Sequence, residues 1–168
     1  MKRSAIFFVL AALALAPLAA GQDGKILYEQ LCSACHGSDG RGDREGQHPP
    51  LADSAWIKGA PDRLIQIVLH GLMGEITVPS KHSVSPTYDL VMPPQSALSN
   101  EQIAKITNYV RNSWGNMEST ISIAIVEAQR KVTSGRKEFW LAKEILKRYP
   151  LNGKAGIESS NLQNLKPK

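Results

Sequence analysis

Five consecutive residues, Cys32-Ser33-Ala34-Cys35-His36, hold both cysteines of this 168-residue chain. A structural disulfide normally closes a longer loop, and a zinc site wants a second pair of ligands that the chain does not supply. A thioredoxin-like pair needs a strand running into a helix, whereas residues 24–31 read as a helix leading into the motif. What remains is porphyrin chemistry. Two thiols one helical turn apart can each add to one vinyl group of the same ring, with the adjacent imidazole pointing at its iron, and C-x-x-C-H is the attachment signature of haem c.

An iron held by His36 takes either a sixth protein ligand, for electron transfer, or an open face, for binding a gas. The candidates are Met73, Met92, Met117, His48, His70 and His82. Met92 stands apart because Val91-Met92-Pro93-Pro94 puts a thioether on an irregular strap that two prolines hold extended. Met73 and His70 flank a turn after a helix, where packing accounts for them. His82 lies in a polar run and reads as solvated.

These residues need elements to hold them. The glycine-rich loop 37–46 lets backbone come close to a haem edge, and its Gly40-Arg41-Gly42 core runs into charge and proline instead of a helix start, against a phosphate cradle. Pro61 and Asp62 suit the first turn of a second helix with Leu64, Ile65, Val68 and Leu69 on its apolar face. Ser99-Asn100-Glu101-Gln102 is a capping-box pattern opening a further helix through Ile103, Ile106, Tyr109 and Val110, with Gly115 as its stop.

In this order the residues resemble the class I c-type cytochromes, the small monohaem cytochrome c family. The resemblance covers residues 22–116: Gly24 and Tyr28 in the first helix, Cys32 to His36, the glycine loop, Pro49-Pro50-Leu51, a middle helix, Met92 and a last helix. It implies an all-α helical domain around one covalent haem c, with Cys32 and Cys35 as thioethers and His36 and Met92 as axial ligands. It also implies that the Pro49 carbonyl receives the second ring N–H of His36, and that Ile106 and Tyr109 pack on the first helix at Gly24 and Tyr28. Leu51, Ile65, Leu69 and Leu90 are expected in the apolar surroundings of the haem, and Trp56 and Tyr88 as haem-wall residues or donors to a propionate.

Residues 117–168 lie beyond the resemblance. Ile121, Ala124, Ile125, Ala128 and Val132 form one apolar stripe and Leu141, Ala142, Ile145, Leu146 and Tyr149 a second, so two short helices split by Thr133-Ser134-Gly135 are expected, with a loose tail after Pro150. Either they pack back on the haem domain or they face a partner. This extension carries ten basic against five acidic residues, whereas residues 22–116 carry eight against ten. A basic appendage suits an acidic redox partner or an anionic membrane surface.

The N-terminus reads as an export signal over residues 1–21: Lys2 and Arg3, an uncharged stretch from Ala5 to Ala20, and small residues Ala19-Ala20-Gly21 before Gln22. The stretch is short for a membrane span, and no cysteine stands near the cleavage point to take a lipid. Export makes nucleic acid an implausible partner. The expectation is a soluble periplasmic carrier of single electrons, not an enzyme, taking them from a dehydrogenase or cytochrome and passing them to an oxidase or another cytochrome. A gas-binding sensor with an open iron face and a permanent subunit of a dehydrogenase or oxidase complex are the alternatives.

Overall fold

The computed structural model describes residues 18–85 and 87–151. Most of the expected leader and the tail from residue 152 lie outside this range. Among the described residues no helix is long and apolar enough to cross a membrane.

Among the described residues six helices and four two-residue strands follow in order: α1 Leu18–Leu31, α2 Ser33–His36, α3 Pro61–His70, β1 Leu72–Met73, β2 Ile76–Thr77, β3 Thr87–Tyr88, α4 Asn100–Arg111, α5 Ile123–Val132, β4 Trp140–Leu141 and α6 Ala142–Arg148. Local chemistry accounts for the helix starts. Pro61 occupies the first turn of α3, where its missing N–H costs nothing. Ser99 and Gln102 form a reciprocal capping box at α4, leaving two fewer orphan donors. That helix ends at Arg111, earlier than the Gly115 stop, because Asn112 caps it and the chain turns at Trp114 and Gly115, both at positive φ.

The α1–α4 crossing organises the rest. Gly24 is buried against α4, and a methyl group there would collide with the Lys105 carbonyl and meet the Tyr109 Cβ at 3.1 Å. The close approach stacks Tyr28, Tyr109 and Trp114 with ring centroids 5.0 to 5.4 Å apart. Trp114 in turn lies on Gly40. The glycines of the loop therefore serve protein packing: Gly40 makes room for an indole and Gly42 for the His48 carbonyl.

The extension is built into the fold. Helix α3 is buried from Asp62 to Leu69 because α5 covers the face that the haem domain alone would leave open. Their contact is partly polar, with the Gln66 amide donating to the Gln129 carbonyl and side-chain oxygen, both at 2.9 Å. That pair rotates α5 from the expected stripe: Val126 and Gln129 are buried, while Ala124 and Val132 are exposed. In the second stripe Leu141 is exposed and Trp140 is buried. The reason is that these two residues form a strand, whose neighbours face opposite ways, and β4 pairs in parallel with β1, Leu72 opposite Trp140. The short β2–β3 hairpin pairs Ile76 with Tyr88 and Thr77 with Thr87.

Candidate haem site

Helix α2 is a single turn, Ser33–His36, that continues from α1 through Cys32. One turn separates the two thiols, which are not joined to each other: Cys32 is half-buried and Cys35 exposed. Burial, with a smaller contribution from Cys35, pushes the Cys32 thiol up to about 11.

His36 is buried, and its Nδ1 lies 2.9 Å from the Pro49 carbonyl. A carbonyl only accepts, so Nδ1 carries the proton. Burial holds the imidazole below its ordinary pKa, opposed by the Pro49 hydrogen bond. The ring is therefore neutral at physiological pH with a lone pair on Nε2, the form that binds a metal. Three further bonds hold this arrangement: Tyr28 donates to the Gly37 carbonyl at 2.6 Å, Gly42 N–H to the His36 carbonyl at 2.9 Å, and Leu51 N–H to the Gly40 carbonyl at 2.7 Å.

Cys32, His36, Pro49, Leu72, Ile76 and Met92 line both lobes of one divided cavity. The inner lobe adds Tyr28, Leu51, Trp56, Leu64, Ile67, Val68, Val78, Ile106 and Val110. The outer lobe adds Cys35, His48, Tyr88, Leu90 and Val91. The cavity thus brings together Cys32, Cys35, His36, Pro49, Leu51, Trp56, Tyr88, Leu90 and Met92. It does not take Ile65 and Leu69, which were expected around the haem. These two are buried in the core that α3 shares with α4 and α5, and Leu64, Ile67 and Val68 are the α3 residues that line the cavity.

Met92 is half-buried at the cavity, its backbone bridged to Leu72 by Met92 N–H to Leu72 O at 2.9 Å and Leu72 N–H to Met92 O at 3.1 Å. The other candidates lie elsewhere or are otherwise engaged. Met73 and Met117 are exposed, His70 bonds Thr133 at 2.8 Å, His48 pairs with Asp43, and His82 is outside both lobes. The indole N–H of Trp56 donates to the Thr77 carbonyl at 2.8 Å and its ring lines the inner lobe, which favours the wall role of the two expected for it. The Tyr88 ring lines the outer lobe, and its hydroxyl accepts from the Ser85 N–H at 3.5 Å.

The residues missed by periodicity are Ile67, Leu72, Ile76 and Val78. The last two belong to Ile76-Thr77-Val78, a β-branched run whose alternation is the signal that locates them.

An apolar slot flanked by two thiols, a neutral imidazole and a thioether is a donor set that fits haem c. The comparisons agree. The cytochrome c family model matches residues 21–114. The fructose dehydrogenase cytochrome subunit of Gluconobacter japonicus is 35% identical over 125 residues, which are 72% of this chain and 24% of that protein. Cytochrome c-552 of Thermus thermophilus is 35% identical over 121 residues, 69% of this chain and 74% of that protein. The gluconate 2-dehydrogenase cytochrome c subunit of Pantoea cypripedii is 33% identical over 117 residues, 66% and 24% respectively. The chain thus spans about a quarter of the dehydrogenase subunits it matches and about three quarters of cytochrome c-552. It belongs to the cytochrome c family, electron-transfer proteins that are not themselves catalysts of substrate chemistry and that carry covalent haem c.

Proposed function

We propose that this cytochrome moves single electrons between protein partners outside the cytoplasm, with Cys32 and Cys35 as the thioether attachments and His36 and Met92 as axial ligands. The observation that carries this reading is the shared cavity of a neutral, Pro49-oriented His36 and a backbone-bridged Met92. Bound haem c supplies a one-electron ferric–ferrous couple. The chain's own residues do the rest. His36 offers Nε2 because Pro49 holds the proton on Nδ1. Met92 offers a thioether, which favours the ferrous form, and Leu51, Trp56, Leu64, Val68 and Tyr88 exclude water and disfavour the extra ferric charge. Outer-sphere transfer asks for no bond to break, so a site held by fixed backbone contacts suits it.

The N-terminal pattern supports export, and the covalent attachment of haem c belongs to the same compartment. The donor is assigned to a dehydrogenase or another cytochrome, and the acceptor to an oxidase or another cytochrome. The exposed lysines of the extension favour an acidic partner face, with an anionic membrane surface as the other electrostatic match. Residues 22–116 supply the haem site and residues 117–168 an appended unit.

A second reading has support from the dehydrogenase relatives: a subunit held permanently in a dehydrogenase complex. Size-exclusion of the native protein separates it from a free carrier. The ligand set is tested by absorption spectra of both oxidation states. Wild type is expected to show the weak long-wavelength charge-transfer band of a sulfur-ligated ferric haem, and Met92→Ala to lose it and bind carbon monoxide. An unchanged Met92→Ala spectrum moves the sixth ligand to Met73 or His82, and a wild type that takes carbon monoxide directly favours the gas-binding alternative.

A further inference from the structure

The Met92 strap does not end in a two-stranded bridge. Leu72 of β1 lies between two partners, with Met92 joined to it by a single antiparallel bridge on one side and Trp140 of β4 paired to it on the other. Residues directly opposite in a ladder place their side chains on the same face. Met92, Leu72 and Trp140 therefore form one row. Leu72 and Met92 line the cavity, and Trp140, 2% exposed, packs with Leu72, Trp56, Ile67 and Tyr88 in a cluster that Met92 borders. Backbone bonds tie the three segments: Trp140 N–H donates to the Gly71 carbonyl at 3.2 Å, and both Leu72–Met92 bonds lie one residue further on.

Gly71 makes the coupling tight. At φ +75° a side chain would be strained, and a Cβ would strike the Met92 carbonyl on one side and the Phe139 ring on the other. The outer strand is clamped by Arg136, whose guanidinium covers the Trp140 ring at 3.6 Å, donates to the Phe139 carbonyl at 2.8 Å and grips Glu144 of α6 at 2.7 and 2.8 Å. A two-stranded pair this short and a single bridge beside it are each marginal in water, and an aromatic on the shared face is what stiffens them.

We propose that β4, through Trp140, is a positioning element for Met92, so that the C-terminal extension governs how firmly the sixth iron position is held against competing ligands. This rests on Met92 being that ligand. Trp140 lines neither lobe of the cavity that Met92 and Leu72 line; it acts through Leu72 and Gly71. Its indole N–H has no hydrogen-bond partner among the described residues, so the ring mass, and not the donor, is the part that positions.

The test is titration of the ferric holoprotein with imidazole, whose apparent affinity rises as Met92 yields. Trp140→Ala is expected to raise it at least tenfold and to speed amide exchange at Leu72 and Met92, while Trp140→Phe returns both to near wild type. Val126→Ala, a packing lesion in α5 away from this row, lowers stability and leaves imidazole affinity unchanged. Should Trp140→Ala not fold, Arg136→Gln opens the outer face of the ring and is expected to raise the affinity severalfold. A folded Trp140→Ala, or in its place Arg136→Gln, with wild-type imidazole affinity overturns the proposal. So does a rise of equal size in Val126→Ala. Met92→Ala separates the two layers: if it keeps the sulfur band, the ligand assignment has failed; if it loses the band while Trp140→Ala binds imidazole like wild type, only the positioning role has.

Discussion

Substituting Gly24→Ala probes the contact on which the haem domain is assembled. The new methyl group would run into the Lys105 carbonyl and crowd the Lys105 carbonyl carbon and Tyr109 Cβ, both at 3.1 Å. Two of these three atoms are backbone, and the third is fixed to it, so no rotamer change relieves the clash. α1 has to move off α4. A shift of about 0.5–1 Å forfeits roughly a quarter to a half of each dispersion contact across the seam, and overpacking of this kind costs about 1–3 kcal/mol. Against this stands the gain of alanine over glycine inside a helix, about 0.5–1 kcal/mol. The net expectation is a loss of about 1–2 kcal/mol, lowering the apparent Tm of the holoprotein by roughly 3–8 °C for a domain of this size. Far-UV circular dichroism melts give the number. Gln30→Ala, at an exposed position of the same helix, is the control and is expected to be neutral or slightly stabilising. A Gly24→Ala protein that melts at or above wild type would falsify the close-crossing argument and leave the glycine without a packing reason.

Arg63 is 1% exposed and donates to the carbonyls of Ala55, Trp56, Lys58, Tyr149 and Pro150, tying the end of α6 to the loop before α3. Arg63→Ala leaves several of these acceptors without a donor at about 1–3 kcal/mol each. A total loss of about 2–4 kcal/mol by denaturant titration is expected, with faster proteolysis near Tyr149; a loss under about 1 kcal/mol contradicts the latch. His70 supplies a pH test. Burial, and then the positive charges of Arg136 and Arg130, hold its pKa below the ordinary 6.5. The unfolded chain therefore takes up the proton first. Stability falls as pH drops through about 6.5 and levels off below the folded pKa, with a slope of at most about 1.4 kcal/mol per pH unit from this group. His70→Gln is expected to flatten that slope, and identical pH profiles for the two proteins would remove His70 from the account.

The haem motif, the Pro61 start and the Ser99–Gln102 cap were legible because each is a local pattern whose partners lie within one or two turns. The Pro49 contact was legible only through resemblance, since thirteen residues separate the two bonded groups and nothing local joins them. The phase of α5 was not legible. Counting apolar residues favours Ala124 and Val132, but the buried face is fixed by a Gln66–Gln129 pair that no hydrophobic pattern marks. The β4 strand was hidden for a related reason: two residues are too few for an alternation, and Trp140-Leu141 reads as easily as the start of the following helix. Its existence depends on Leu72, far away in sequence. The loop glycines show the converse, a need for small residues that the sequence marks without naming the neighbour: a Cβ at Gly40 would strike Trp114 and one at Gly42 the His48 carbonyl.

Charge in the extension also divides by contact in a way that composition does not reveal. Arg130 donates to Asn100 Oδ1 at 2.8 Å and to the Ser96 and Leu98 carbonyls at 2.9 and 2.7 Å, fastening α5 to the approach of α4. Arg136 fastens β4 to α6, and Lys131 pairs with Glu127 at 2.8 Å. The lysines at 137, 143 and 147 are exposed, and no ion pair joins them to a neighbour among the described residues. Arginine suits the first group because its planar fork can satisfy several carbonyls at once; lysine suits the second because a hydrated point charge acts at a distance of about a Debye length without a fixed geometry. Removing all the positive charge from this segment would therefore confound two effects. Neutralising the arginines loosens the fold and, through β4, the Met92 bridge, whereas neutralising the three lysines alters only the long-range field that a partner meets.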